Sequence, residues 1–350
     1  MNANTALRTP ETTMTTNPQA RPAFGTVLAE QMSIATYANG AWGADKLVPV
    51  APLSMHPAAH VLHYASTCFE GFKAYRWADG SIHVFRMDRH VARLRQSAQL
   101  LSLPVPDATQ LEKMILETID RNRAQVPEPP GALYMRPVLF GTMPNIGAAS
   151  QPSNEATLVV LASPVWDYFS GGMKPLRIYV EDERHRTAEH LGVVKTGGNY
   201  AAAMGPTLAA KQKYGIDQVL FCPGGSVQET GAANFVLIRD GHLLTRSLDS
   251  TFLHGVTRDS LLTMARSMGF KVEERVFDVA EMLDWVKTGE AALSGTAAVL
   301  AGVGTLVLHD GTEVAVGSGD VGPVTRKLRE ALVAIQNGDA PDTQGWTRKV

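Results

Sequence analysis

The chain has 350 residues, of which 45% are hydrophobic and 19% charged, and its formal net charge is -2. That length exceeds what one hydrophobic core usually supports, so two domains are expected; the dispersed Lys and Arg argue against nucleic acid or an anionic membrane as partner. No apolar run approaches the roughly 18 residues a membrane span needs, and Cys68 and Cys222 form no metal or redox spacing, which fits a reducing cytoplasm and no bound metal.

In chain order, the first residues are polar, Thr-rich and lack an apolar signal region. We expect a disordered tail over residues 1–29. A smaller unit is expected over 30–165. Within it SIHVFRM (81–87) reads as a strand, and DRHVARLRQSAQLL as a helix with Val91, Leu94, Ala98 and Leu101 on one stripe. A second helix opens at Asp107, a good N-cap, and GALYMRPVLFG and ATLVVLASPV read as buried strands. The segment WDYFSGGMKP (166–175), with Gly-Gly and Pro, is expected to be an interdomain loop.

A larger unit is expected over 176–350, with strands and helices alternating. LRIYV, QVLFC, ANFVLIRD, HLLTR, KVEERVF and EAALS read as strands. YAAAMGPTLAAKQKYG and RDSLLTMARSMG read as helices, and DVAEMLDWVK opens with the capping-box spacing of Asp278 and Glu281. The fold class is therefore α/β (α+β mixed) in two halves. Signatures of P-loop, zinc-protease, serine-hydrolase and CxxC redox chemistry are absent, and GVGTLV stops short of a dinucleotide-binding loop.

One stretch stands out, GVVKTGGNYAAAMG. Lys195 follows two valines, as at a strand end, and precedes two glycines that would let backbone approach a ligand. Burial there would favour the uncharged, nucleophilic amine. The bland alternative is a lysine whose ammonium snorkels to water. Three further segments supply what pyridoxal phosphate would require. Glu229, in QETGAANF, could keep a pyridine nitrogen protonated, or be a solvated turn glutamate. Thr257, in HGVTRD, stands where helix N–H groups could bind an anion, or merely caps that helix. Gly295, Thr296 and Ala297, in LSGTAAVL, offer amides and a hydroxyl, or form an ordinary turn.

Taken in order, KTGGNYA, ETGAANF, HGVTRD and SGTAA resemble the fold-type IV pyridoxal-phosphate enzymes. LHYASTCFEGFKAYR, FRMDRHVARLRQSAQLLSLP, LYMRPVLFGT and SPVWDYFSGG are similar to branched-chain amino-acid aminotransferases in particular. The resemblance runs from about residue 30 to the C-terminus. It implies a smaller N-terminal domain, a larger C-terminal one, and a cofactor site between them near a subunit interface, in at least a homodimer.

The resemblance also implies residue roles. Lys195 would bond covalently to the cofactor and move the proton between substrate Cα and cofactor C4′. Tyr200 would meet the ring's phenolic oxygen and Glu229 its nitrogen. Arg93, Val256, Thr257 and Thr296 would bind the phosphate. Tyr64, Phe69, Tyr134 and Tyr168 would line an apolar pocket for Leu, Ile or Val. Arg136 would receive the distal carboxylate of glutamate, and Tyr134 with the Thr296 and Ala297 amides the α-carboxylate. Alanines in SGTAAVLAG replace the CxxC pair of mammalian members, so thiol control is not expected there. Ala232 replaces their threonine, which leaves the donor preference open. The implied reaction is amino transfer from branched-chain amino acids to 2-oxoglutarate. Another fold-type IV activity (a D-amino-acid or (R)-amine transaminase, or aminodeoxychorismate lyase) and a non-catalytic binding protein are the alternatives.

Overall fold

The computed structural model describes residues 22–166 and 172–350. The first half contributes β1 (Gln31–Ala38), β2 (Ala41–Trp42), β3 (Lys46–Pro49), α1 (His60–Tyr64), β4 (Thr67–Phe69), β5 (Phe72–Arg76) and β6 (Ile82–Phe85). Helices α2 (Met87–Leu100) and α3 (Ala108–Arg121) follow, then β7 (Ala132–Gly141) and β8 (Ala156–Val165). Asp107 caps α3 as expected, its side chain accepting from the Gln110 N–H.

The second half contributes β9 (Leu176–Glu181), α4 (Gly197–Tyr214), β10 (Gln218–Phe221), β11 (Asn234–Arg239), β12 (His242–Thr245), α5 (Val256–Ser267) and β13 (Lys271–Glu274). It continues with α6 (Val279–Trp285), β14 (Glu290–Gly295), β15 (Val299–Val307), β16 (Glu313–Ala315), α7 (Pro323–Asn337) and β17 (Thr347–Lys349). Asp278 caps α6 by accepting from the Glu281 N–H.

These strands build two sheets. The first is antiparallel, in the order β17-β6-β5-β7-β8-β1-β2, with β3 on β1 and β4 on β7. The second is mixed, in the order β10-β9-β15-β14-β11-β12-β13, with β16 on β15. Leu94 and Ala98 of α2 and Leu111, Ile115 and Ile119 of α3 pack on one face of the first sheet. Between the sheets lies a shared core, in which Phe85, Ala132 and Tyr134 meet Val236, Ile238, Leu261 of α5 and Leu328 of α7. The C-terminal strand β17 returns to pair with β6, so chain from the second half closes the first sheet.

Two sequence expectations need correction. The end of the segment read as tail lies on β8: the Ala29 N–H donates to Ala162 O at 2.8 Å, Ser163 Oγ donates to Val27 O at 2.5 Å, and 22–28 are exposed while Ala29 is buried. Its single methyl fills the core without the apolar run that marks a structured segment. The two valines before Lys195 do not end a strand; they lie in a turn-rich link, and Gly197-Gly198 opens α4.

The glycines of GVGTLV serve packing. They lie in β15, where a Cβ on Gly304 would stand 2.4 Å from Gly319 O and 2.5 Å from Pro175 Cβ. Gly304→Ala should therefore destabilise the fold by about 1–3 kcal/mol, because the nearest obstacle is backbone that cannot swing aside. A denaturant midpoint equal to wild type would contradict this.

Candidate active site

Lys195 sits where the two halves meet. Its N–H donates to Ser97 Oγ of α2 at 3.1 Å, and its carbonyl accepts from the Phe69 N–H of β4 at 3.0 Å. Asn199, buried in the first turn of α4, donates to Leu191 O and Val194 O at 2.8 and 2.9 Å and so fixes the link before Lys195. The side chain then has one direction left. Its Nζ donates to Tyr200 Oη at 2.8 Å and stands 5.2 Å from the centre of the Phe69 ring. Lys195 is half-buried rather than sealed from water, and it does not snorkel outward: it lines a cavity of about 410 Å³.

Phe69, Tyr134, Arg136, Tyr200, Ala232, Thr296 and Ala297 share that cavity. Its wall is tightly built. A Cβ on Gly71 would fall 1.8 Å from Tyr134 Oη, so only glycine leaves the tyrosine its place. Arg136 donates from Nη2 to Tyr134 Oη at 3.0 Å, and its guanidinium carbon lies 4.6 Å from the Phe69 ring centre. Its Nε is buried without a partner among the described residues. Thr296 donates to Gly71 O at 3.0 Å, and Lys73 Nζ to Ala297 O at 2.8 Å; both bonds hold the SGTAA turn against the first sheet.

Glu229 is no solvated turn residue. It is only 3% exposed. Burial pushes its carboxyl above the ordinary range, and the Arg186 guanidinium opposes that most strongly. Asn234 supports the other oxygen, donating from Nδ2 to Glu229 Oε2 at 3.0 Å. A Cβ on Gly255 would come within 2.0 Å of Asn234 Oδ1, so the glycine before α5 makes room for this contact.

A second cavity, of about 210 Å³, is lined by Arg89, Arg93, His254, Gly255, Val256 and Arg258. It opens at the start of α5, whose N-cap is Gly255 and receives no side-chain bond. Thr257 is therefore not the cap; it is buried one residue inside the helix, and the unpaired first N–H groups favour an anion. Arg93 reaches in from α2. Its Nε and Nη2 donate to Glu70 at 2.6 and 2.9 Å, and its Nη1 donates to His254 O at 2.8 Å. His90 donates from Nδ1 to the same carboxylate at 2.6 Å. Glu70 is wholly buried, which raises a carboxyl; Arg93 and His90 overcome this and hold it well below the usual range.

The structure thus divides the predicted residues. Lys195, Tyr200, Phe69, Tyr134, Arg136, Thr296 and Ala297 share the larger cavity, while Arg93 and Val256 line the smaller. Thr296 lines the larger cavity, where its hydroxyl donates to Gly71 O. Tyr64 does not line its own chain's cavity; it ends α1 and its hydroxyl donates to Ile146 O. Tyr168 lies outside the described residues, as do all positions from 167 to 171.

The sequence profile of class IV aminotransferases matches residues 67–305. The chain belongs to the class IV aminotransferase family. It is 40% identical over 344 residues to the branched-chain-amino-acid aminotransferase of Mycobacterium tuberculosis (strain CDC 1551 / Oshkosh), covering 94% of this chain and 92% of that one. The solved T.th. branched-chain amino acid aminotransferase with pyridoxamine 5'-phosphate superposes with a TM-score of 0.75 at 27% identity, over 92% of this chain and 99% of that one. The same protein complexed with N-(5'-phosphopyridoxyl)-L-glutamate gives a TM-score of 0.73 at 27% identity, with the same coverage of 92% and 99%.

In this class IV aminotransferase, sequence reading missed several residues. Glu70, His90, Arg186 and Asn234 hold the functional groups, and no spacing rule pairs residues so far apart. Phe24, in the segment taken for tail, stacks edge-on against Tyr134 with ring centres 4.9 Å apart. Its aromatic ring in a polar, Thr-rich region was the available signal.

Removing the Glu70 charge should be costly. Glu70→Gln leaves the Arg93 guanidinium buried without its counter-ion and should destabilise by about 3–5 kcal/mol. Because the folded carboxyl is depressed, its stabilisation is present above the unfolded value of about 4.3 and is lost only as pH falls through the lower folded value. The gap in thermal midpoint between wild type and Glu70→Gln should stay constant from neutral pH to about 4.3 and narrow below it. A gap that closes already near pH 6 would contradict the assignment.

Proposed function

We propose that this class IV aminotransferase moves the amino group of leucine, isoleucine or valine to 2-oxoglutarate, with pyridoxal 5'-phosphate as cofactor, in the cytoplasm and as a homodimer. The observation that carries the reading is the larger cavity: a lysine amine, an aromatic wall and an arginine with an unpartnered Nε border one space. The names of the M. tuberculosis and T.th. proteins, and the phosphopyridoxyl-glutamate bound in one of them, support it.

The residues fit the cofactor's three poles. The Arg93 cavity and the α5 amides suit a phosphate dianion, the Lys195 amine an aldehyde, and the buried Glu229 carboxylate a protonated ring nitrogen. Pyridoxal phosphate, when bound, supplies an aldehyde that exchanges its oxygen for the substrate's amino group, and a ring that takes up the charge left at Cα. Lys195 is the residue that bonds to that aldehyde. Freed from that bond, its amine would take the proton from substrate Cα and return it at cofactor C4′. Tyr200, at hydrogen-bond distance from Nζ, aims the amine and would meet the ring's phenolic oxygen.

Phe69 and Tyr134 present an apolar face to a branched chain, and Ala232 keeps that wall small. The α-carboxylate is received by the amides of Thr296 and Ala297, in the turn that Lys73 and Gly71 hold. Arg136 lets the same pocket take glutamate, whose second carboxylate needs a cation. One site used in turn by two substrates gives ping-pong kinetics.

The homodimer belongs to the same reading. Tyr64 is turned away from its own cavity, and its neighbours Leu62 and Ile146 are 60% and 69% exposed. Two buried unpaired cysteines accord with a reducing compartment, and no helix among the described residues is long and apolar enough to cross a membrane.

Steady-state assay of L-leucine, D-alanine and 1-phenylethylamine against 2-oxoglutarate tests the proposal. Turnover of L-leucine with parallel double-reciprocal lines is expected; preference for either other donor would overturn it. Arg136→Ala should raise KM for 2-oxoglutarate about tenfold to a hundredfold, the loss of a hydrogen bond to a charged group, and leave KM for leucine within about threefold. Equal effects on both substrates would contradict the role given to Arg136.

A further inference from the structure

Arg186 is a residue for which the reaction as derived has no use. Only 4% of its side chain is exposed, in the link that leads to Lys195. Its Nη2 lies 2.8 Å from Glu229 Oε1 and 3.3 Å from Gly192 O. Its Nε is buried and has no partner among the described residues. A guanidinium with an unmet donor is expensive to bury, so its charge has to matter locally.

The contacts of Glu229 show where it matters. An ionised carboxylate offers about four in-plane acceptor positions, two on each oxygen. Oε1 accepts from the Leu253 N–H at 2.9 Å and is ion-paired with Arg186 Nη2 at 2.8 Å, so two groups already engage it. Oε2 accepts from Asn234 at 3.0 Å, which leaves one position. That position suits a single N–H donor.

We propose that Arg186 is a positioning residue for Glu229, keeping its carboxylate ionised and turned so that one acceptor position on Oε2 is left for the ring nitrogen of the cofactor. The inference rests on the reading above that pyridoxal phosphate is bound here. Its physical content concerns the side of the hydrogen bond on which the proton rests. With Arg186 in place, the carboxylate accepts from a protonated ring nitrogen, and the ring attracts electrons strongly. Without it, the buried carboxyl holds its own proton and donates to a neutral ring. Lys195 and Arg93 are the other charged groups acting on Glu229, from the link before α4 and from α2. Arg186 has a second grip, because Gly192, whose carbonyl it holds, packs so closely on Thr251 that a Cβ would stand 2.1 Å from the Thr251 carbonyl carbon.

The test compares two ligands on the full-length protein stripped of cofactor. One is pyridoxal phosphate; the other is its 1-deaza analogue, in which C–H replaces the ring nitrogen. Dissociation constants are read from absorbance titrations at neutral pH. Wild type should prefer pyridoxal phosphate by at least about tenfold, the value of a hydrogen bond to a charged group. Arg186→Gln should reduce that preference to within about twofold and still bind the deaza analogue like wild type. Arg186→Lys, which keeps the charge, should retain most of the preference; it also decides the matter should the glutamine variant fail to fold.

A glutamine variant with the full preference would overturn the proposal and reduce Arg186 to a tie on the link. A lysine variant that binds the analogue normally but has lost the preference would overturn it too. If wild type bound neither compound, the cofactor reading itself would fall, and this inference with it. If wild type bound both equally while Glu229→Gln changed nothing, the Glu229 assignment would be at fault, and a role for Arg186 through it would be refuted.

Discussion

The main chain of Lys195 is gripped by the opposite half of the molecule. Its N–H is held by Ser97 of α2 and its carbonyl by the Phe69 N–H of β4, while the side chain emerges from a link belonging to the second half. No movement of one layer against the other can leave that amine in place. The remaining groups of the site follow from the same seam. Phe69 ends the strand that holds the lysine, Gly71 and Lys73 tie the SGTAA turn, and Arg93 crosses from α2 to His254.

Charge at the seam is arranged in pairs rather than as isolated ions. Glu70 neutralises Arg93, and Glu229 faces Arg186, each within a wholly or nearly buried setting. Such pairs add little to stability compared with apolar packing, yet breaking one leaves an uncompensated ion. Their use here is orientation: the Arg93 guanidinium, with Nε and Nη2 committed to Glu70, presents its remaining N–H groups in one direction. Arg136 departs from this pattern. It pairs with no carboxylate among the described residues and rests on the Phe69 and Tyr134 rings, so its charge remains available within the larger cavity.

Much of this was legible in the sequence because local chemistry decided it. Asp107 and Asp278 announce helix starts, and apolar runs announce β7 and β8, since those features act within a few residues. Lys195 and Glu229 stand out because glycines and small residues surround them, whereas Tyr200 and Arg93 are named only through the family resemblance. What escaped depends on distance along the chain. Glu70 meets Arg93 across 23 positions, and β17 meets β6 across most of the protein, with no periodicity to betray either. The bond from Thr296 to Gly71 O, 225 positions apart, is likewise a tertiary event. The glycines of β15, which fall short of a ligand-loop pattern in the sequence, are there for close packing.

The central claim is that the amine beside Tyr200 bonds covalently to an aldehyde cofactor. Borohydride reduction of the purified protein, followed by peptide mass spectrometry, examines it directly. A phosphopyridoxyl adduct is expected on the peptide containing Lys195 and on no other lysine. An adduct elsewhere, or none on protein saturated with pyridoxal phosphate, would contradict it.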